Sequence, residues 1–326
     1  MGQRELAPLP ERREYREAIE KRLIALLRRE IYEPVVRELQ AVRQVKLTNA
    51  TSDDDARDLI RAIAAGKIQY VDGRFEGQFS ASTSKALRDA GAVWDRRTST
   101  WQLSAARLTP DMSTAIGASY SRFKKLADRI SAKLEAVSPQ LLGEQVKLEG
   151  VFNSQIYRVN RDFEAQIKGI TVAPQLTDAD RARIASQYNN NMRLYIQTFA
   201  EKEIKKLRDE VGMHAAAGAR YESMFSMIRS SYDVSVNKAK FLARQETNLL
   251  MSNFQETRYR SAGMDQYKWE CVAGTGAHPV RPDHKLLDGT IQSWSNPPIT
   301  NRSTGARNHP GRDFGCRCRS RPIIRF

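Results

Sequence analysis

Cysteine is scarce: the 326 residues hold three, Cys271, Cys316 and Cys318. So small and odd a number in a long chain excludes a disulfide framework and predicts a reducing compartment. Long apolar runs are also missing. No stretch reaches the ~18 apolar residues a membrane span needs, so no membrane association is predicted. The opening MGQRELAPLPERREYREAIEK has no apolar h-region, which predicts no secretory signal. Histidine is nearly as rare as cysteine, with four in all. The chain lacks a Walker A loop and a Gly-x-Gly-x-x-Gly following a strand, and Gly274-Thr-Gly276 is too short to cradle a phosphate. No Ser/His/Asp set stands out.

Positive charge is what the chain has in excess. Lys and Arg number 53 against 38 Asp and Glu, a net charge of +15 and a pI near 9.8. That surplus points to a polyanionic partner, either nucleic acid or an acidic protein surface. The plainer reading is a set of solvated basic helix faces. Hydrophobic content of 40% suits a water-exposed globular chain with room for two or three domains.

Most of the chain reads as helix. Ile19, Leu23, Leu26, Leu27 and Ile31 keep helical spacing through residues 11–46, with Val35, Val36, Leu39 and Val42 beyond Pro34, where a break or kink is expected. Ser52 caps a short helix that Gly66 closes. Residues 67–108 change texture: strands flank Asp72-Gly73, Ser80–Ala90 is a short helix, and a second hairpin carries Trp94 and Trp101. This is a small α+β insert, its tryptophans more in keeping with a core than with a stacking platform for bases. Helices return from Thr109, a cap followed by Pro110. Two runs of roughly 30 residues, one starting after Pro139 and one capped by Thr177-Asp-Ala-Asp180, predict an elongated helical region. A further helix is expected from about Asn237, capped by Ser235 and ended by Gly263. The fold class is therefore mostly α: N-terminal helices (1–66), the α+β insert (67–108), a long-helix region (109–235) and a compact, loop-rich α+β C-terminal domain (236–326).

The chemistry-bearing residues cluster in that last domain. Residues 266–326 hold all three cysteines, three of the four histidines and six of the twelve prolines. Three readings stand side by side. A structural zinc ion could draw on Cys271, His284, Cys316 and Cys318, with His278 and His309 nearby in sequence, although the usual Cys-x-x-Cys spacing is replaced by Cys-x-Cys. A metal-dependent nuclease of His-Asn-His type would use Asp283-His284, Asn296 and Asn308-His309. The third reading makes all of these buried structural groups, reduced and hydrogen-bonded to loop backbone. Strand-like alternation through Cys316-Arg-Cys-Arg319 would bury the cysteines and expose the arginines.

Five elements follow one another in order: Phe241-Leu-Ala-Arg-Gln-Glu-Thr-Asn248, Gly263-Met-Asp-Gln-Tyr-Lys-Trp269, Arg281-Pro-Asp-His-Lys-Leu-Leu-Asp-Gly289, Trp294-Ser-Asn-Pro-Pro298 and Gly315-Cys-Arg-Cys-Arg319. Together they resemble the phage head morphogenesis family, the minor head proteins similar to protein F of phage Mu. The resemblance covers roughly residues 236–325 and places Arg281, His284, Asp288, Gly289, Trp294, Cys316 and Cys318 on the family's motif. Cys271 and His278 fall outside it. It implies a non-enzymatic virion component near the portal vertex, assembled in the host cytoplasm, with the portal and major capsid proteins, scaffold and packaged double-stranded DNA as partners. It implies no cofactor. Arg312, Arg317, Arg319, Arg321 and Arg325 are then the expected contacts to DNA or an acidic surface.

Overall fold

The computed structural model describes residues 2–43, 55–216, 221–272 and 279–325. The Ser52 cap, Gly274-Thr-Gly276 and His278 lie outside the described residues. In chain order the elements begin with strand β1 (Gln3–Glu5), helix α1 (Arg13–Leu27), a π-helical turn (Arg28–Tyr32), α2 (Glu33–Arg43) and α3 (Asp55–Ala64). The insert follows, as β2 (Ile68–Val71), β3 (Arg74–Gly77), α4 (Ala81–Asp89), β4 (Val93–Asp95) and β5 (Thr100–Gln102). Then come α5 (Pro110–Glu135), α6 (Pro139–Glu144), α7 (Glu149–Ile167), α8 (Asp178–Ala216) and α9 (Tyr221–Ser261). The chain closes with β6 (Gln266–Glu270), α10 (Pro282–Leu287), β7 (Ile291–Ser293), β8 (Ile299–Asn301), β9 (Ala306–Arg307) and β10 (Arg319–Arg325). The fold is mostly α, and among the described residues no helix is long and apolar enough to cross a membrane.

The chain forms two compact units, each assembled from separated segments. One comprises Leu27–Pro139 and Thr198–Ser235; the other comprises Met1–Leu26, Gln140–Gln197 and Val236–Phe326. These units cut the chain differently from the four consecutive segments read off the sequence, because segments far apart in sequence pack together.

The first unit holds the insert. β2-β3-β5-β4 is an antiparallel sheet. Asp72 and Gly73 both have positive φ, the backbone a two-residue hairpin turn demands. Leu59, Ile63, Ile68, Phe75, Leu87, Trp101 and Leu103 form the core against Met112 and Ala115. The two tryptophans part company. Trp101 on inner strand β5 is buried, whereas its cross-strand partner Trp94 on edge strand β4 is 39% exposed, with ring contacts to Trp101 and Phe79. Gly66 ends α3 with φ +73, and a Cβ there would lie 2.7 Å from Phe123. Pro34 does not break its helix. The backbone widens before it, where Glu33 N–H reaches the carbonyl of Arg28, and the chain continues into α2. α9 starts at Tyr221, so Ser235 is not its cap. Ser235 is buried mid-helix, and its hydroxyl lies 2.6 Å from Tyr32 Oη.

The other expected caps are present. Thr109 accepts from Met112 N–H, with Pro110 opening α5. Thr177 and Asp180 bond reciprocally at the start of α8. At Gly263, Met264 N–H reaches Tyr259 O and Gly263 N–H reaches Arg260 O, closing α9 as a Schellman motif. α8 and α9 run 39 and 41 residues, each about 60 Å long.

The second unit holds the motif-rich segment. Its sheet has the order β1-β10-β6-β7, antiparallel throughout. Tyr267 and Trp269 alternate inward along β6, directly opposite Pro322 and Ser320 of β10, and buried Ile324 shares their face. β1 covers the outer edge of β10, pairing Gln3 with Arg325 and Glu5 with Ile323.

Candidate metal centre

The motif elements converge on one loop, residues 309–318, from three directions. Helix α9 supplies the floor. Gln245 Oε1 accepts the Gly315 N–H at 2.7 Å, and Asn248 Nδ2 donates to the Cys316 carbonyl at 2.9 Å. Gly315 has φ +71, a turn that only glycine adopts without strain. Helix α10 supplies His284, while Arg281 at its N-terminal end donates to the Phe314 carbonyl. Strand β6 supplies Cys271 just past its end. Asp288 accepts the Cys271 N–H at 2.7 Å, and Gly289, with φ +74, donates to the Trp269 carbonyl.

His284 is the hub. Its Nδ1 lies 3.6 Å from Cys316 Sγ and 3.6 Å from Cys318 Sγ, and its Nε2 lies 3.0 Å from Asp313 Oδ2. Asp313 Oδ1 in turn accepts from Asn308 Nδ2 at 2.5 Å. His284, Cys316 and Cys318 are all buried, and among the described residues they are the group of three or more metal-ligating side chains that comes together. Cys271 completes the neighbourhood, with Sγ 3.8 Å from Cys318 Sγ. The sheet register explains why. β6 and β10 pair Glu270 with Arg319, so the next position along the ladder sets Cys271 opposite Cys318.

The surroundings set the protonation states. Asp313, with help from Cys316, raises His284 to about 9 against the opposing effect of burial. The Cys318 thiol, and then His284 and backbone N–H groups, lower Cys316 to about 5 despite burial. Cys318 is pushed upward by Cys316 and by burial. Burial also raises Cys271, while Cys318 and the Trp269 indole pull the other way. Two backbone N–H groups, of Gly311 and Cys318, point at Cys316 Sγ at 3.4 Å each. The cysteines are buried as the alternation predicts, but not by a strand. Cys316 ends a turn, its N–H bonded to Asp313 O, and β10 begins only at Arg319.

Of the His-Asn-His set, Asn308 is tied to His284 through Asp313, and the other members have partners elsewhere. His309 belongs to a different pocket, its Nδ1 2.9 Å from Tyr267 Oη and its ring packed on Trp294. Burial, with the nearby Arg312 charge, lowers it to about 4, so it is neutral. Asn296 accepts from Arg307 and braces the Pro297-Pro298 turn, and Trp294 stacks on Tyr267. Asp283 accepts the Arg302 N–H.

Of the five expected anion-binding arginines, four have partners within the fold. Arg312 pairs with Glu256, Arg319 with Glu11, Arg321 with Glu270, and Arg325 donates to Gln266. Arg317 has no acidic partner among the described residues. It lines a cleft with Arg13, Arg16, Arg244 and Arg319, where Glu11 is the one carboxylate. Arg13 and Arg244 also lack acidic partners among the described residues. Sequence reading missed them, because they come from distant helices and carry no local signal.

Residues 205–321 match the family described as phage Mu protein F like protein. The likeness is confined to that segment, which is under half of the chain. The Mu F-like match starts within α8 and runs through α9 and every motif element to β10. An uncharacterized protein of Haemophilus influenzae (strain ATCC 51907 / DSM 11121 / KW20 / Rd) is 25% identical over 152 residues. The aligned part is 47% of this chain and 31% of that protein, so the chain spans about a third of that relative's length. No solved structure matches the chain.

Proposed function

We propose that the chain is a minor head protein of a tailed bacteriophage, seated at the portal vertex, that acts in DNA packaging or ejection as well as in head assembly. The observation that carries this reading is how the Mu F-like motif residues are used. Arg281, Asp288, Gln245 and Asn248 spend their hydrogen bonds on the backbone of this same domain, and His284 is buried against Asp313. A structural module needs such internal ties, whereas a nuclease needs groups left free for a scissile phosphate. The proposed partners are the portal and major capsid proteins, with scaffold during assembly. The test is capture of the portal and major capsid proteins of the same phage by the tagged full chain. Retention of the portal supports the proposal; a portal that assembles but is not retained rejects it.

The arginine cleft supports a DNA contact. Five guanidinium groups against one carboxylate would hold backbone phosphates without reading sequence. If Arg13, Arg244 and Arg317 each neutralise a phosphate, affinity falls about 40-fold between 50 and 200 mM salt, and Arg317→Ala lowers the log–log slope by about 1. Absence of DNA binding at low salt, or a flat salt profile, rejects the DNA contact. Plasmid cleavage with Mg²⁺, Mn²⁺ or Zn²⁺ that disappears in His284→Ala would overturn the structural reading in favour of a nuclease.

A further inference from the structure

The geometry points to a structural zinc ion held by Cys271, His284, Cys316 and Cys318. A tetrahedral ion with Zn–S near 2.3 Å and Zn–N near 2.05 Å sets its ligands about 3.8 Å apart for two sulfurs and about 3.6 Å for sulfur and nitrogen. Three ligand pairs already stand at those spacings, and Cys271 joins the tight His284-Cys316-Cys318 group through Cys318. Both Cys-to-His284 Nδ1 distances are 3.6 Å, and Cys271 Sγ to Cys318 Sγ is 3.8 Å. Two sulfurs converging on one imidazole nitrogen is wasteful as hydrogen bonding, since a single Nδ1, protonated or not, serves one partner well at a time. A metal lets both sulfurs and the nitrogen share one centre.

The surroundings are those of a metal site. Metal-bound histidines donate their second ring N–H to a carboxylate or carbonyl, and His284 Nε2 meets Asp313, itself fixed by Asn308. The Gly311 and Cys318 N–H groups suit a thiolate at Cys316. Three thiolates and one imidazole leave a Zn²⁺ site with one net negative charge, and Arg244, Arg281 and Arg317 line the space beside it. The ion would tie together the end of β6, helix α10 and the entrance to β10. A Cys316–His284–Asp313 nucleophilic relay is the competing use of these groups. It does not explain why Cys318 is placed as Cys316 is, or why both sulfurs are buried.

The full chain is purified without chelator and its metal content measured; about one zinc per chain is expected. After zinc is stripped, added Co²⁺ should give the visible bands of a tetrahedral ion together with thiolate-to-cobalt charge transfer. Cys271→Ser should lose about a third of that charge transfer, and undiminished intensity would remove Cys271 from the ligand set. Asp313→Asn, which leaves every ligand in place, should weaken zinc binding by about 10- to 100-fold. Chelation of the unmutated protein should lower its Tm, and zinc should restore it, so the outcome does not depend on variants that fold. No bound metal and no cobalt spectrum overturns the proposal, as does a Cys271–Cys318 disulfide in the reduced-purified protein or equal alkylation of the thiols with and without zinc. None of these results bears on portal capture, so the zinc site and the head-protein reading stand or fall separately.

Discussion

Glu246 is a carboxyl group with nowhere good to put a charge. It sits on α9 within the Arg-Gln-Glu-Thr-Asn motif, fully buried. Its Oε1 has no hydrogen-bond partner, and its Oε2 meets Asn191 Nδ2 only at 3.5 Å. Burial pushes the group up from 4.5 to about 7, against the weaker pull of Asn191 and Tyr195. Because the folded-state value is the higher one, the folded chain keeps a proton that the unfolded chain has released. The associated stability is complete below about pH 4.5 and is lost as pH rises to about 7. At about 1.36 kcal/mol per pH unit the loss is about 3 kcal/mol. Glu246→Gln keeps the shape and cannot ionise. Thermal unfolding of both proteins from pH 5 to pH 8 should therefore show little difference at the acid end. At pH 8 the variant should melt higher, by roughly 6–12 °C for a unit of this size. A Tm difference that is the same at every pH, or one that favours the unmutated protein as pH rises, would refute the reasoning.

Other perturbations test other parts of the molecule. Tyr32→Phe removes a hydroxyl that donates to buried Glu203 at 2.7 Å and contacts Ser235, so denaturant titration should show a loss of about 1–3 kcal/mol. Trp101→Ala should cost about 3–5 kcal/mol in the same assay, and Trp94→Ala much less, since Trp94 is already partly exposed to water. Asn248→Ala frees the Cys316 carbonyl, and amide hydrogen exchange across residues 311–318 should speed up while exchange in β2–β5 does not change.

What could be read from the sequence was local. Thr109, Thr177 and Gly263 act within four residues of themselves, and Asp72-Gly73 sets its own hairpin, so each was visible without tertiary knowledge. Ser235 was misread for the complementary reason. Its sequence looks like a cap, but Tyr32, some two hundred residues away, holds its hydroxyl within a longer helix. Of the break or kink expected at Pro34, the break does not occur, because the π-helical turn before it absorbs the missing N–H. At the candidate centre the residue types were legible and the geometry was not. Cys271 lay outside the motif, yet the β6–β10 register brings it to Cys318. Asp313, Gln245 and Asn248 gave no signal as ties, because their partners come from other segments.

The pairing of β1 with β10 has a consequence for synthesis. Gln3–Glu5 and Arg319–Arg325 lie some three hundred residues apart, so this seam of the sheet can be sewn only once both segments have left the ribosome. The unit ending at Ser235 has all its residues earlier and can fold while the chain is still growing. Until β10 arrives, β6 waits with an open edge and with Tyr267 and Trp269 uncovered, the kind of surface that invites strand exchange between crowded nascent chains. Seven-residue β10 thus acts as a latch, covering the β6 edge through which the chain could otherwise misassociate.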